Sequence, residues 1–208
     1  MKIKETKKLI VERFVVGMIE VNCYLVFNKE NKNLYVIDSG DEAEKIVKNI
    51  KKFDYEQLFL IQTHCHVDHI TALGEVFDKT NPNALYIHTK EIPLYKSDDN
   101  HLMPYMPKAN NLPEPSKNFV SEDFEIIETP GHTQGGVCFY FKEDNLLFTG
   151  DTLFKHSIGR TDLKGGNHQQ LLSSIKKNLL TLPNNTVIYP GHGPESKIED
   201  EKKYNPYL

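Results

Sequence analysis

Short apolar runs bounded by polar turns alternate along this chain with segments of helical spacing. Residues 21–27 and 34–38 flank the polar stretch Asn28-Lys29-Glu30-Asn31-Lys32-Asn33, which predicts a β-hairpin. Gly40 then interrupts the chain. Residues 41–52 place Ala43, Ile46, Val47 and Ile50 at helical spacing, with acids first and lysines last, as the helix dipole favours. A strand is predicted over 58–62, a helix over 70–79 with Leu73, Val76 and Phe77 on one face, and a strand over 84–88.

The second half repeats this idiom without being a tandem repeat. Residues 124–129 read as a strand ending in Pro130-Gly131-His132. A second hairpin joins 137–141 to 146–149 and ends in Gly150-Asp151. A helix over 168–180 carries Leu171, Leu172, Ile175 and Leu179 on its apolar face, and 187–189 is a short strand ending in Pro190-Gly191-His192. The charged tail from Glu195 reads as a solvated terminal helix. Two hairpin-rich halves with helices predict an α/β protein of two packed sheets with helices outside. No linker separates independent domains, so one domain over 1–208 is expected. The long Pro-rich segment 92–117 reads either as a lid bringing His101, Met103, Tyr105 and Met106 to a pocket, or as a surface loop covering core.

Four strand ends deliver the candidate chemistry. After the apolar run 58–61, His64-Cys65-His66-Val67-Asp68-His69 packs four potential metal ligands into six residues. Side chains alternate on an extended backbone, so His64 and His66 share one side and Cys65 faces away as a non-ligand. Asp68 and His69 follow where the chain turns. His132, Asp151 and His192 each close a later apolar run, and Pro–Gly before a histidine permits the sharp turn that presents its ring. Ligands gather beyond the carboxyl ends of strands in α/β proteins. Imidazole and carboxylate together suit zinc, iron or manganese, and the set reads as a two-metal site.

Composition narrows the function classes. The chain has 208 residues, 38% hydrophobic and 26% charged, which describes an ordinary soluble protein burying roughly 70% of its unfolded surface. A net charge of −4 gives no footprint for nucleic acid or an anionic membrane. No apolar run approaches the ~20 residues of a membrane span, and the N-terminus lacks the features of a secretory signal. Three widely spaced cysteines make a poor disulfide framework and point to a reducing, cytoplasmic compartment, with Cys23 and Cys138 as buried small hydrophobes.

The blocks His64-Cys65-His66-Val67-Asp68-His69, Thr129-Pro130-Gly131-His132-Thr133, Phe148-Thr149-Gly150-Asp151-Thr152-Leu153-Phe154 and Tyr189-Pro190-Gly191-His192-Gly193 resemble the metallo-β-lactamase-fold hydrolases, in particular their glyoxalase II-like branch. The similarity runs from the first hairpin to the His192 loop. It implies a four-layer αββα sandwich of two mixed β-sheets flanked by helices. It also implies two divalent cations, zinc first with iron or manganese as alternatives. His64, His66 and His132 would hold one, Asp68, His69 and His192 the other, with Asp151 bridging. A water between the ions, its pKa lowered towards ~7, would supply hydroxide to a thioester carbonyl. Asp68 would orient it or receive a proton. The implied substrate is a small-molecule thioester, S-(2-hydroxyacyl)glutathione or a relative.

Departures from the family pattern qualify that substrate. Many relatives that cleave β-lactams have cysteine at the Asp151 position, which counts against that role. Asp151 could also simply cap its turn. In relatives a basic side chain at the Arg160 position holds the substrate's anionic part, yet Arg160 could equally pair with Asp162. Asp162 itself replaces an aromatic residue, Gly193-Pro194 stands where a tyrosine is expected, and only residues 195–208 remain of the helical domain that grips glutathione. His88 reads as core or surface, and His156 and His168 as residues of a pocket rim. Two rivals share the fold: a mononuclear iron persulfide dioxygenase using His64, His132 and Asp151, and a nuclease, which the acidic balance disfavours.

Overall fold

A computed structural model describes residues 1–98, 100–102 and 106–208. The chain divides into two compact units: residues 1–87 with 92–120, and residues 88–91 with 121–208.

The first unit is built on a six-stranded mixed sheet. The predicted hairpin is β3 (Val21–Asn28) and β4 (Asn33–Ile37), paired antiparallel. Two further strands lie outside those predicted: β1 (Lys2–Glu5) and β2 (Leu9–Val16). β2 pairs with β3 along its whole length and buries Leu9, Val11, Phe14 and Val16. β5 (Gln57–Ile61) and β6 (Ala84–Tyr86) then add in parallel, giving the order β1-β2-β3-β4-β5-β6. Helix α1 (Ala43–Ile50) buries Ala43, Ile46, Val47 and Ile50 against the sheet residues, as its periodicity predicts.

The helix predicted over 70–79 is instead two pieces, α2 (Val67–Ile70) and α3 (Leu73–Thr80). The break has a local cause: the Ala72 amide donates to the Ser39 carbonyl at 3.1 Å instead of closing a helical turn. In the Pro-rich segment, a short helix α4 (Ile92–Tyr95) buries Tyr95, whose hydroxyl donates to the Pro113 carbonyl at 2.7 Å. Ile92, Leu94, Ala109 and Leu112 pack on the same core, so these residues cover core. Of the residues expected in a lid, His101 is exposed and Met106 buried, while Met103 and Tyr105 lie outside the described residues.

The second unit carries a five-stranded mixed sheet. Its members are β7 (Glu125–Glu128), β8 (Val137–Phe141), β9 (Leu146–Gly150), β12 (Val187–Pro190) and β13 (Ser196–Lys197), in the order β13-β12-β9-β8-β7. Only β12 and β9 run parallel. A small antiparallel ribbon of β10 (Leu153–Phe154) and β11 (Ser157–Ile158) follows β9. Helix α5 (His168–Ser174) continues as a π-helical turn over Ile175–Leu179, and Leu171, Ile175 and Leu179 pack against Cys138, Leu147 and Ile188.

The terminal helix α6 (Ile198–Tyr204) exists as predicted but is not simply solvated, because Ile198 and Glu201 are fully buried. Two mixed sheets with helices form an α/β fold of the kind the resemblance implies. Among the described residues, no helix is long and apolar enough to cross a membrane.

Candidate metal centre

In the first unit the chain leaves β5 at Ile61 and reaches His66, which is extended at φ −65° and ψ 148°, before entering α2. The alternation expected of extended backbone is realised. The His64 and His66 ring centroids lie 4.9 Å apart, while Cys65 joins the hydrophobic core. The turn of α2 then brings His69 back to 4.1 Å from the His64 ring. His64, His66, Asp68 and His69 are all buried.

A residue outside the predicted set orders this half-site. Asp38, just beyond β4, has φ 58° and is buried. Its Oδ1 accepts from the Thr63 amide at 2.8 Å, and its Oδ2 accepts from the Thr63 hydroxyl at 2.8 Å. The same Oδ2 lies 3.0 Å from His69 Nδ1. A carboxylate only accepts, so His69 Nδ1 is the donor and its proton is not on Nε2. Thr63 gives its one hydroxyl proton to Asp38 and so accepts from His64 Nδ1 at 3.1 Å. Both imidazoles therefore keep an Nε2 lone pair, the form that ligates a metal. The signal for Asp38 was present in the sequence: an apolar run closed by an acid, as at Gly150-Asp151, but without a neighbouring histidine.

In the second unit three loops converge. Gly131 has φ 138°, and a Cβ there would lie 2.2 Å from the Leu171 amide nitrogen, so the approach of α5 to this turn requires glycine. The Asn167 amide donates to the Gly131 carbonyl at 2.7 Å and the Ser174 hydroxyl to the Pro130 carbonyl at 2.8 Å, fixing the turn that presents His132. His132 Nδ1 donates to the Arg160 carbonyl at 2.7 Å, which again leaves Nε2 for a ligand. β12 and β9 end side by side, with the Gly191 amide donating to the Gly150 carbonyl at 2.8 Å, so the His192 and Asp151 loops are neighbours.

One carboxylate oxygen of Asp151 faces two histidines: Oδ2 lies 3.7 Å from His132 Nε2 and 3.6 Å from His192 Nε2. In the first unit, His69 Nε2 and Asp68 Oδ2 stand 3.5 Å apart. These separations exceed hydrogen-bond length. They are close to the ~3.3 Å that bonds of about 2.0–2.1 Å at a tetrahedral ion place between two ligand atoms. Donor type, tautomer and spacing within each unit fit a divalent metal.

Arg160 is engaged elsewhere. Its Nε donates to Asp162 Oδ1 at 2.8 Å and its Nη2 to Oδ2 at 2.6 Å, a two-pronged pair on the surface. This contact holds the Asp162 carboxyl at about 2, below the usual carboxylate range. His156 places its ring 5.9 Å from that of Tyr204, and its amide donates to Glu201. His168 opens α5 on the surface, and His88 Nε2 lies 3.6 Å from Glu128 Oε1. All three cysteines are buried and none forms a disulfide.

A histidine- and aspartate-rich set with metal-ready imidazoles, carried on loops at strand ends, makes a candidate metal centre in the pattern of the metallo-hydrolases. The metallo-beta-lactamase superfamily model matches residues 16–192, and the chain belongs to that superfamily. It is 34% identical over 212 residues to a hydroxyacylglutathione hydrolase GloC of Haemophilus influenzae, covering 95% of this chain and 97% of the relative. Two solved structures are similar. BLEG-1, described as a B3 metallo-beta-lactamase, has a TM-score of 0.82 at 34% identity, with 95% of this chain and 99% of that one covered. TTHA1623 in a di-iron-bound form has a TM-score of 0.85 at 32% identity, with 95% and 100% covered.

Proposed function

We propose that this metallo-hydrolase is a thioesterase of glyoxalase II type, acting on S-(2-hydroxyacyl)glutathione or a related small thioester. In this reading the chain works as one domain over 1–208 and its two half-sites share a pair of divalent cations. His64, His66 and His132 would hold one ion and Asp68, His69 and His192 the other, and Asp151 would serve both. The observation that carries the proposal is the Asp151 carboxylate, whose one oxygen faces a histidine assigned to each ion at 3.7 and 3.6 Å. The likeness to a hydroxyacylglutathione hydrolase supports the substrate class. Zinc is the first choice of metal, and the di-iron form of TTHA1623 supports iron as the alternative.

A bound cation pair supplies acidified water and polarises the carbonyl to be attacked. The chain's own residues do the rest. Asp38, Thr63 and the Arg160 carbonyl hold three imidazoles in the ligating tautomer. Asp68 takes a proton or orients the attacking water through its carboxylate. Arg160 meets the anionic part of the substrate after leaving Asp162.

Elemental analysis of natively purified protein, combined with S-lactoylglutathione turnover, tests this. About two metals per chain with metal-dependent thioester hydrolysis is the expected result. Full metal content without thioester turnover overturns it. Oxygen uptake with a glutathione persulfide would identify the dioxygenase instead, and metal-dependent RNA cleavage the nuclease.

A further inference from the structure

The terminal helix α6 carries a carboxylate that the proposed reaction does not use. Glu201 is fully buried, and a buried carboxylate is costly unless its oxygens are hydrogen-bonded. Here they are. Oε2 accepts from the His156 amide at 2.9 Å and from Asn205 Nδ2 at 2.7 Å, and Oε1 accepts from the Ser196 hydroxyl. Asn205 Nδ2 also donates to the Ser157 carbonyl at 3.1 Å. Glu201 and Asn205 thus grip His156 at the tip of the β10–β11 ribbon and Ser157, the first residue of β11. His156 sits there at φ 57°, a left-handed conformation uncommon for a residue other than glycine.

The base of the same ribbon lies against two of the proposed ligands of this unit, Asp151 and His132. The Gly159 amide donates to the Thr152 carbonyl at 3.4 Å. Gly159 packs so closely that a Cβ would lie 1.8 Å from the Asp151 carbonyl oxygen and 3.1 Å from His132 Nδ1. The next carbonyl, that of Arg160, accepts from His132 Nδ1. A displacement at the tip is therefore transmitted through two short strands to the backbone that orients His132 and carries Asp151.

We propose that Glu201 is a positioning residue for the His132–Asp151 half-site: by anchoring the β10–β11 tip it sets the Arg160 carbonyl against His132 Nδ1 and so fixes the ligating tautomer. The inference rests on the two-metal reading above. It predicts that metal affinity depends on a side chain that touches no proposed ligand and acts on His132 through the ribbon backbone.

The test compares Glu201→Ala, Glu201→Gln and Ile198→Ala in the full chain. Ile198 is buried on the same helix in the hydrophobic cluster, so its truncation loosens α6 without removing the carboxylate. Two readouts are taken: zinc affinity by competition with a chromophoric chelator, and the His132 tautomer in the metal-free protein from imidazole nitrogen chemical shifts. Glu201→Ala is expected to weaken zinc binding by about 10-fold, the low end of what losing a direct outer partner of a ligand costs, and to raise the Nε2–H population of His132. Glu201→Gln keeps an acceptor oxygen and recovers part of both. Ile198→Ala is expected to lower thermal stability while leaving both readouts near wild type.

Wild-type affinity and tautomer in Glu201→Ala would overturn the proposal, as would equal losses in Ile198→Ala. Should Glu201→Ala fail to fold, Asn205→Ala decides by the same two readouts, since it cuts the tie to the Ser157 carbonyl and spares the carboxylate. A wild-type chain that binds neither zinc nor iron would instead sink the two-metal reading itself, so the two failures are distinguishable.

Discussion

Replacing Asp38 by asparagine isolates the contribution of tautomer control to metal binding. The exchange is nearly isosteric, and asparagine tolerates the left-handed backbone at φ 58°, so the main chain is undisturbed. The carboxylate offers acceptors on both sides: Oδ1 to the Thr63 amide, and Oδ2 to the Thr63 hydroxyl and His69 Nδ1. An amide has one acceptor and one donor side. If its oxygen stays on the Thr63 amide, its NH2 faces His69 and drives the imidazole proton to Nε2, the position a metal needs. If it flips, two N–H groups oppose each other at Thr63. Either way one buried hydrogen bond is mismatched, at about 1–3 kcal/mol. At about 1.4 kcal/mol per tenfold, metal affinity falls roughly 5- to 150-fold. Chelator competition measures the loss, and thermal unfolding of the metal-free protein checks that the fold survives. Asp38→Asn with both wild-type affinity and wild-type stability of the metal-free protein would refute the assignment of Asp38 as acceptor for both Thr63 and His69 Nδ1.

Other consequences follow from the same geometry. Asp151→Ala is expected to lose most bound metal together with turnover, and full metal content with retained turnover would contradict the shared ligand. Asp162→Asn releases the Arg160 guanidinium, so KM for an anionic thioester should fall several-fold with kcat little changed, while Arg160→Ala should raise KM; steady-state kinetics of both variants decide. Because the folded Asp162 carboxyl is depressed to about 2, the Arg160 pair is complete above the ordinary carboxylate range and opens only as pH falls towards that value. KM should then show no step attributable to this pair from roughly pH 5 upward. Gly159→Ala drives a methyl group to 1.8 Å from the Asp151 carbonyl, so the ribbon must shift; lower thermal stability, by at least about 1–3 kcal/mol, and weakened metal binding are expected.

The loops that carry the candidate ligands were legible because they combine two signals, an apolar run that stops and a residue type with few other uses there. Asp38 carries only the first signal, and its role needs the fold to bring His69 beside it. The break between α2 and α3 was hidden for a similar reason: Ala72 suits a helix, and only its pairing with the distant Ser39 carbonyl interrupts the ladder. β2 alternates at Leu9 and Val11 and again at Phe14 and Val16, but the phase shifts across Glu12-Arg13, so no single period-2 pattern spans the strand. Glu201 was masked by its neighbours. Within Glu199-Asp200-Glu201-Lys202-Lys203 every residue looks solvated, yet Ile198, Glu201 and Asn205 recur at helical spacing and form the buried face. The Arg160–Asp162 pair was one of two readings the sequence left open, because spacing alone cannot choose between an internal and an incoming carboxylate.

The three sealed sulfhydryls give the molecule a built-in record of its own opening. Cys23 and Cys65 belong to the first unit and Cys138 to the second. Burial also pushes the Cys23 thiol well above its ordinary range, so an alkylating reagent finds neither access nor thiolate there until the surrounding strands part. Mass spectrometry after brief alkylation at rising denaturant would therefore assign each modification to one half of the chain, and report which half yields first.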